Sequence, residues 1–325
     1  MMADTSRPGS ETGRSQVGNT VLVHVGLHKT GTTWLQRRLF QALDGQCIAY
    51  CGDIKFIYRE FIVPEIGVFS ADEARHAFSS LIETARANDR LPVISGEALA
   101  GRPFHAKFHR SVIAQRIAEV FPDAHILLTI REQVAIIHSM YGQYIRFGYT
   151  SDLRSFLRQP PRESSLSPVL DLDFYNYAKL IKGYRALFGE DRVTVMPFEK
   201  LIADPSGQID MLSRRTGFRL SSDVPEETRT AVQNRGWSDL AYNAARQVNR
   251  FVSQDSRWQR ARGRLSPNSI GHYVNRLTPG SLRKRMSDRA RRLISDEIGP
   301  YYAASNREAY TLTGIDLGEI GYRVS

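Results

Sequence analysis

The chain has 325 residues, 42% apolar and 24% charged, with a formal net charge of +10. That length and balance suit a large α/β domain with a full hydrophobic core, and they exclude a fibrous or wholly disordered chain. Two cysteines, Cys47 and Cys51, exclude a disulfide framework and supply at most half of a zinc site, so no metal is expected.

Residues 1–18 are polar, hold Gly, Ser and Pro, and show no apolar period, which predicts a disordered tail and not a signal peptide. Thr20–Gly26 (TVLVHVG) is a short apolar run that predicts a buried strand, and Thr32–Leu43 follows at helical spacing. Ala71–Ala87 predicts a helix, Leu91–Ser95 a second strand, and Phe108–Phe121 a helix stopped before Pro122. Ala124–Ile130 predicts a third strand and Glu132–Phe147 a helix, after which three prolines and three serines make 158–168 a loop. Phe174–Phe188 reads as a helix, Arg192–Pro197 as a fourth strand and Pro205–Thr216 as a helix. Strands alternating with helices predict an α/β fold, a central parallel sheet flanked by helices, over residues 19–325. Within it, 219–325 reads as a mostly helical, basic extension. Between Asp255 and Arg292 stand eleven Arg and Lys against two acids, nearly the whole charge excess. Such a stretch is either a solvated helical face or a surface for an anionic partner.

The most informative segment is Gly26-Leu27-His28-Lys29-Thr30-Gly31-Thr32-Thr33-Trp34. A buried strand runs into a two-glycine turn, and a helix opens at the threonines. Backbone N–H groups and the helix dipole converge there on one spot suited to an anion. Against the triphosphatase pattern G-x-x-x-x-G-K-[ST], Gly26, Gly31 and Thr33 fit, but Thr32 stands where lysine belongs and the only lysine is Lys29. No Asp closes either neighbouring strand, so the loop is P-loop-like without the features that hold magnesium.

Lys29-Thr30-Gly31-Thr32-Thr33-Trp34 resembles the 5′-phosphosulfate loop of the sulfotransferases, P-K-[ST]-G-T-T-x, with His28 in place of the common proline. These enzymes draw on 3′-phosphoadenosine 5′-phosphosulfate (PAPS), and bacterial members share the variation. The family's second signature is an arginine at a strand end and a serine eight residues on; Arg131 and Ser139 match it. Ala304-Ser305-Asn306-Arg307, Asp316-Leu317 and Gly321-Tyr322 look like closing segments of bacterial relatives, so the likeness runs from about residue 19 to 325.

The resemblance implies sulfuryl transfer to a hydroxyl or amine by in-line displacement. Lys29 would relieve charge on the leaving phosphate oxygen, while Thr30, Gly31, Thr32 and Thr33 hold the 5′-phosphate. Trp34 would stack on adenine, or else is a core tryptophan. Arg131, Ser139 and the N–H groups at the next helix start would hold the 3′-phosphate. The base is expected at Glu97, after the second strand, where open sheets place their ligands; a turn-capping carboxylate is the bland alternative, and His105 the fallback base. The family's downstream Arg-Lys-Gly segment is matched only in part by Asn234-Arg235-Gly236-Trp237, leaving Arg235 and Gly236 or the basic stretch 255–292 as the third donor contact. Tyr141, Gln143, Tyr144 and the loop 158–168 fall on the acceptor side by position.

Two other readings compete: a P-loop nucleotide kinase or triphosphatase with a degenerate loop, and a non-enzymatic polyanion-binding module. The partners expected are PAPS, its product adenosine 3′,5′-bisphosphate (PAP), and a hydroxyl or amine acceptor whose identity the sequence leaves open, an acidic glycan or a lipid being the candidates, with no specific nucleic acid. No run of about 18–20 apolar residues predicts a membrane span, which makes the expected setting cytoplasmic and bacterial.

Overall fold

The computed structural model describes residues 20–65, 67–101, 103, 109–158, 170–220, 236–251 and 266–325. The predicted tail, most of the loop 158–168, His105, Arg235 and the first part of the basic stretch lie outside these residues.

Five parallel strands form one sheet in the order β2-β3-β1-β4-β5. They are β1 (Leu22–Gly26), β2 (Ile48–Cys51), β3 (Leu91–Ser95), β4 (His125–Ile130) and β5 (Val193–Pro197). Four match the predicted strands. The fifth, the edge strand β2, is four residues long and pairs only with β3, too short to show an alternating pattern. Both sheet faces are covered, which is why the strands read as continuous apolar runs.

Side-chain alternation along β1 sorts the core into two layers. Val21, Val23 and Val25 face a large cluster, with α4 (Arg110–Val120), α5 (Gln133–Arg146) and α7 (Tyr177–Phe188) packed against it. Leu22 faces a smaller cluster built by α1, α8 (Phe198–Ala203) and α9 (Pro205–Thr216). Here α1 is the helical run Thr32–Trp34, Leu35–Phe40 and Gln41–Leu43, whose middle third is a π turn. Between β2 and β3 lie α2 (Ile54–Phe61), absent from the predicted elements, and α3 (Ala71–Ala87); the short α6 (Leu153–Leu157) follows α5.

The C-terminal part is mostly helical in its described residues: α10 (Asp239–Phe251), α11 (Pro267–Leu277) and the long α12 (Gly280–Thr313). It joins the larger core through Trp237, Tyr242, Ile294, Ile298 and Tyr302. The closing segments brace the sheet: Asn306 exchanges two side-chain hydrogen bonds with Gln133 at the start of α5, 2.7 and 3.1 Å, and Tyr322 donates to Glu199 at 2.9 Å. Among the described residues no helix is long and apolar enough to cross a membrane.

β1 is central: the chain goes from it to β2 and β3 on one side, then to β4 and β5 on the other. The loops after β1, β3 and β4 thus meet at the C-terminal edge where the direction of winding changes, the position at which open α/β sheets leave a crevice.

Candidate active site

The loop after β1 is held by its own side chains. Thr30 and Thr32, both fully buried, turn their hydroxyls inward onto the Leu27 carbonyl at 2.6 and 3.4 Å. Their expected phosphate contact is therefore open to their amides but not to their hydroxyls; Thr33 is the exposed hydroxyl of the three. Lys29 and Gly31 both take left-handed backbone, φ 69° and 85°. For lysine this conformation is uncommon and costs of order 1 kcal/mol. At Gly31 a side chain would also meet the Phe198 ring, 2.7 Å from an ideal Cβ. The Gly31 carbonyl accepts from the Trp34 and Leu35 amides, so the helix starts there, with its first N–H groups without intrahelical partners. Trp34 is 6% exposed and sits in the smaller core cluster, as the core alternative has it.

Lys29 Nζ donates to Gln143 Oε1 at 3.1 Å. Burial holds its ammonium below the ordinary lysine range; Glu97 pulls it back up, and Arg146 and Arg131 act with burial. Glu97 opens the short turn Glu97–Ala100 directly after β3 and Gly96. Burial pushes its carboxyl above the usual range and Lys29 opposes this. His28 Nε2 lies 3.9 Å from Glu97 Oε2. A cation and a carboxylate from neighbouring strands thus face one crevice, each moved toward the protonation range in which proton transfer is efficient.

Arg131 follows β4, the other neighbour of β1, and its guanidinium donates to the Lys29 carbonyl at 2.9 Å. Its plane lies over Phe198, 4.8 Å from the ring centre, the same ring that closes on Gly31. Tyr177 hydrogen-bonds the Arg131 carbonyl from below. The two predicted anion loops are thereby tied to each other. One expectation is corrected: the start of α5 does not offer its amides to an anion. Glu132 caps it, accepting from Val134 N at 2.7 Å and Ala135 N at 2.8 Å, and its own N–H donates to Glu199.

On α5, Ser139, Gln143 and Arg146 follow one another at i, i+4 and i+7, so they share a stripe. Gln143 reaches Lys29, Arg146 is close enough to perturb it, and Ser139 is half-buried. Tyr141 and Tyr144 belong to the opposite, core-facing side, with the Tyr144 hydroxyl on the Pro103 carbonyl at 2.9 Å. Their assignment to the acceptor side is corrected: both are core residues.

The downstream segment is docked beside this stripe. Arg146 stacks on Trp237 at 4.4 Å, His138 pairs with Asp239 at 2.8 Å, and Ser238 N donates to Asn275 at 2.7 Å. Gly236, exposed, starts this segment. Ser238 also meets Thr278, one wall of a cavity of about 510 Å³ at the turn from α11 to α12. Arg283, Lys284 and Arg291, from the basic stretch, line it with Asp288. Arg291 lies near enough to Arg131 and Glu132 to act on both.

Beneath the loop lies a polar layer that no sequence motif announces: His24, Ser95, Thr129 and Gln36. Its one visible sign was a histidine inside an otherwise apolar strand, two residues before Gly26.

A model of the sulfotransferase family matches residues 22–222. A solved sulfotransferase from Alicyclobacillus acidocaldarius is 24% identical, covering 73% of this chain and 98% of its own, with a TM-score of 0.43. The sulfotransferase domain of the Synechococcus PCC 7002 olefin synthase is 11% identical over 89% of this chain and 98% of its own, TM-score 0.39. A sulfotransferase from Mycobacterium tuberculosis H37Rv is 15% identical over 72% and 76%, TM-score 0.34. Among curated proteins there is no match. The family model spans more than half of the chain, including β1 to β5 and every loop of the crevice, and on that ground the chain belongs to the sulfotransferase family.

Proposed function

We propose that this sulfotransferase takes its sulfuryl group from PAPS and passes it to a hydroxyl or amine. The observation that carries the reading is the tie between the two anion loops, Arg131 to the Lys29 carbonyl, with Glu97 facing the same crevice. One doubly phosphorylated adenosine fits such an arrangement: its 5′ end on the amides of residues 30–33, its 3′-phosphate beside Arg131 and Ser139.

The residues present suit that ligand. Gly31 keeps the loop free of a Cβ, and the Lys29 ammonium reaches the crevice without leaving its backbone position. In the reaction an acceptor O–H or N–H attacks sulfur, the bond from sulfur to the 5′-phosphate oxygen breaks, and PAP leaves. Glu97, with its carboxyl raised by burial, takes the acceptor's proton. Lys29 exchanges Gln143 for the departing oxygen and neutralises the charge that grows there, the kind of stabilisation that matters most in a desolvated site. Arg283, Lys284 and Arg291 of the basic stretch line one cavity, and Arg291 is near enough to act on Arg131, so the third contact with the 3′-phosphate is given to them.

Thermal unfolding with added PAP tests this. A ligand held only by the folded state, at 100 times its dissociation constant, stabilises by about 2.7 kcal/mol. PAP is expected to raise the melting temperature by several degrees and adenosine 5′-phosphate, lacking the 3′-phosphate, much less. No shift with PAP, or equal shifts with both, overturns the reading. A shift with ATP and magnesium alone would favour a triphosphatase.

A further inference from the structure

The polar layer under the loop has no place in the reaction above, yet it is buried in the middle of the sheet. Gln36 Nε2 lies 3.1 Å from Ser95 Oγ, Ser95 Oγ 2.7 Å from His24 Nδ1, and His24 Nε2 3.3 Å from Thr129 Oγ1. Thr129 Oγ1 is 2.8 Å from Thr30 Oγ1, which is 2.6 Å from the Leu27 carbonyl. His24, Ser95, Thr129 and Thr30 are all at most 1% exposed.

The direction of every bond follows from the two ends. The Leu27 carbonyl can only accept, so the Thr30 hydroxyl spends its proton there and must accept from Thr129. Thr129 in turn accepts from His24, which places the imidazole proton on Nε2. The neutral ring then has a lone pair on Nδ1 for the Ser95 hydroxyl, and Ser95 accepts from Gln36 Nε2, an NH₂ group that can only donate. All donors and acceptors of the chain run one way. Burial favours that neutral form, pushing the His24 imidazole down to about 3.

The far end of this chain shapes the loop. A trans peptide sets its C=O and N–H in opposite directions. With the Leu27 carbonyl drawn down onto Thr30 and Thr32, the His28 amide is aimed the other way, toward the crevice. Lys29 follows in the left-handed region, a conformation that persists only when its surroundings impose it. Gly26 leaves the room: a Cβ there would collide with Thr32 Oγ1 and stand 3.0 Å from His24 Nε2.

We infer that His24 is a positioning residue for the anion loop, holding it in its binding shape through Thr129 and Thr30. The inference rests on the loop being the donor site proposed above. A buried layer of this kind is worth much when fully satisfied and costs much when one link is missing.

The test removes one hydroxyl without changing shape. PAP affinity by calorimetry and the melting temperature without ligand are measured for the wild type, Thr129→Val and Thr129→Ser. Thr129→Val leaves the His24 Nε2–H unpaired, and PAP affinity is expected to fall about tenfold or more. Thr129→Ser keeps the hydroxyl and loses a buried methyl group, so it is expected to lower the melting temperature while keeping affinity within about threefold of the wild type. A purely structural role for Thr129 would have affinity follow melting temperature in both variants, and that result overturns the inference. A second readout needs no variant: the ¹⁵N spectrum of His24 in the wild type is expected to show the Nε2–H tautomer, and a proton on Nδ1 overturns the inference. Absence of PAP binding by the wild type refutes the donor site itself and the inference with it. Wild-type binding that Thr129→Val leaves intact refutes the inference alone.

Discussion

Acidification from pH 7 to pH 5 is expected to destabilise the fold by about 4 kcal/mol through two histidines. His24 is enclosed by the sheet, and burial pushes it down to about 3; His125, buried on β4, is pushed to about 4 by burial, with Arg215 and Arg192 adding to it. Unfolding returns both to the ordinary value of 6.5. Below that value the unfolded chain binds protons that the native state refuses, so stability falls with pH and goes on falling toward the folded values. At pH 5 each unfolded imidazole is 1.5 units below its midpoint, which gives about 2 kcal/mol per histidine. That is a large fraction of the roughly 5–15 kcal/mol that holds an ordinary domain together. Glu97 and Glu132 act in the opposite sense, because burial raises both carboxyls and protonation then favours the folded state. A difference experiment removes them. His125→Gln keeps a donor for the Thr194 hydroxyl, now 2.7 Å from Nε2, and lacks the titration. Urea unfolding at pH 7 and pH 5 is expected to show the variant losing about 2 kcal/mol less than the wild type between the two. Parallel losses in the two proteins would refute the reasoning.

Two further outcomes are expected. Glu97→Gln removes the proposed base and preserves the shape of the crevice, so turnover with a competent acceptor is expected to fall about 10²–10⁴-fold while PAP affinity holds; single-turnover rates and calorimetry separate the two. Gly31→Ala meets both a left-handed backbone and the Phe198 ring, and is expected to cost at least about 1 kcal/mol of stability in urea, with weaker PAP binding, because the amides it carries must move.

The larger architecture was legible because it rests on patterns that one stretch of chain carries alone. β1, β3, β4 and β5 are each a buried apolar run ended by a glycine, a proline or a charged residue, and the loop from Gly26 to Thr33 announces its backbone geometry by its glycines. What stayed hidden depends on pairing between distant segments. His24 and Ser95 stand opposite each other only once β1 and β3 are in register. The inward turn of Thr30 depends on Thr129, far along the chain on β4. Spacing alone made Tyr141, Gln143 and Tyr144 look equivalent, yet on α5 only Gln143 falls on the side of Lys29. The capping role of Glu132 is a local signal, an acidic residue just before a helix, which apolar periodicity alone absorbs into the helix itself.

Because Glu132 already occupies the α5 terminus, the proposed donor site would meet a phosphate with side chains beside Arg131 and with peptide groups in the Lys29 loop. The two ends of the crevice therefore differ in what mutation can reach. Exchanging a residue beside Arg131 retunes one contact at a time, but the shape of the Lys29 loop changes only if glycines or the polar layer beneath it change.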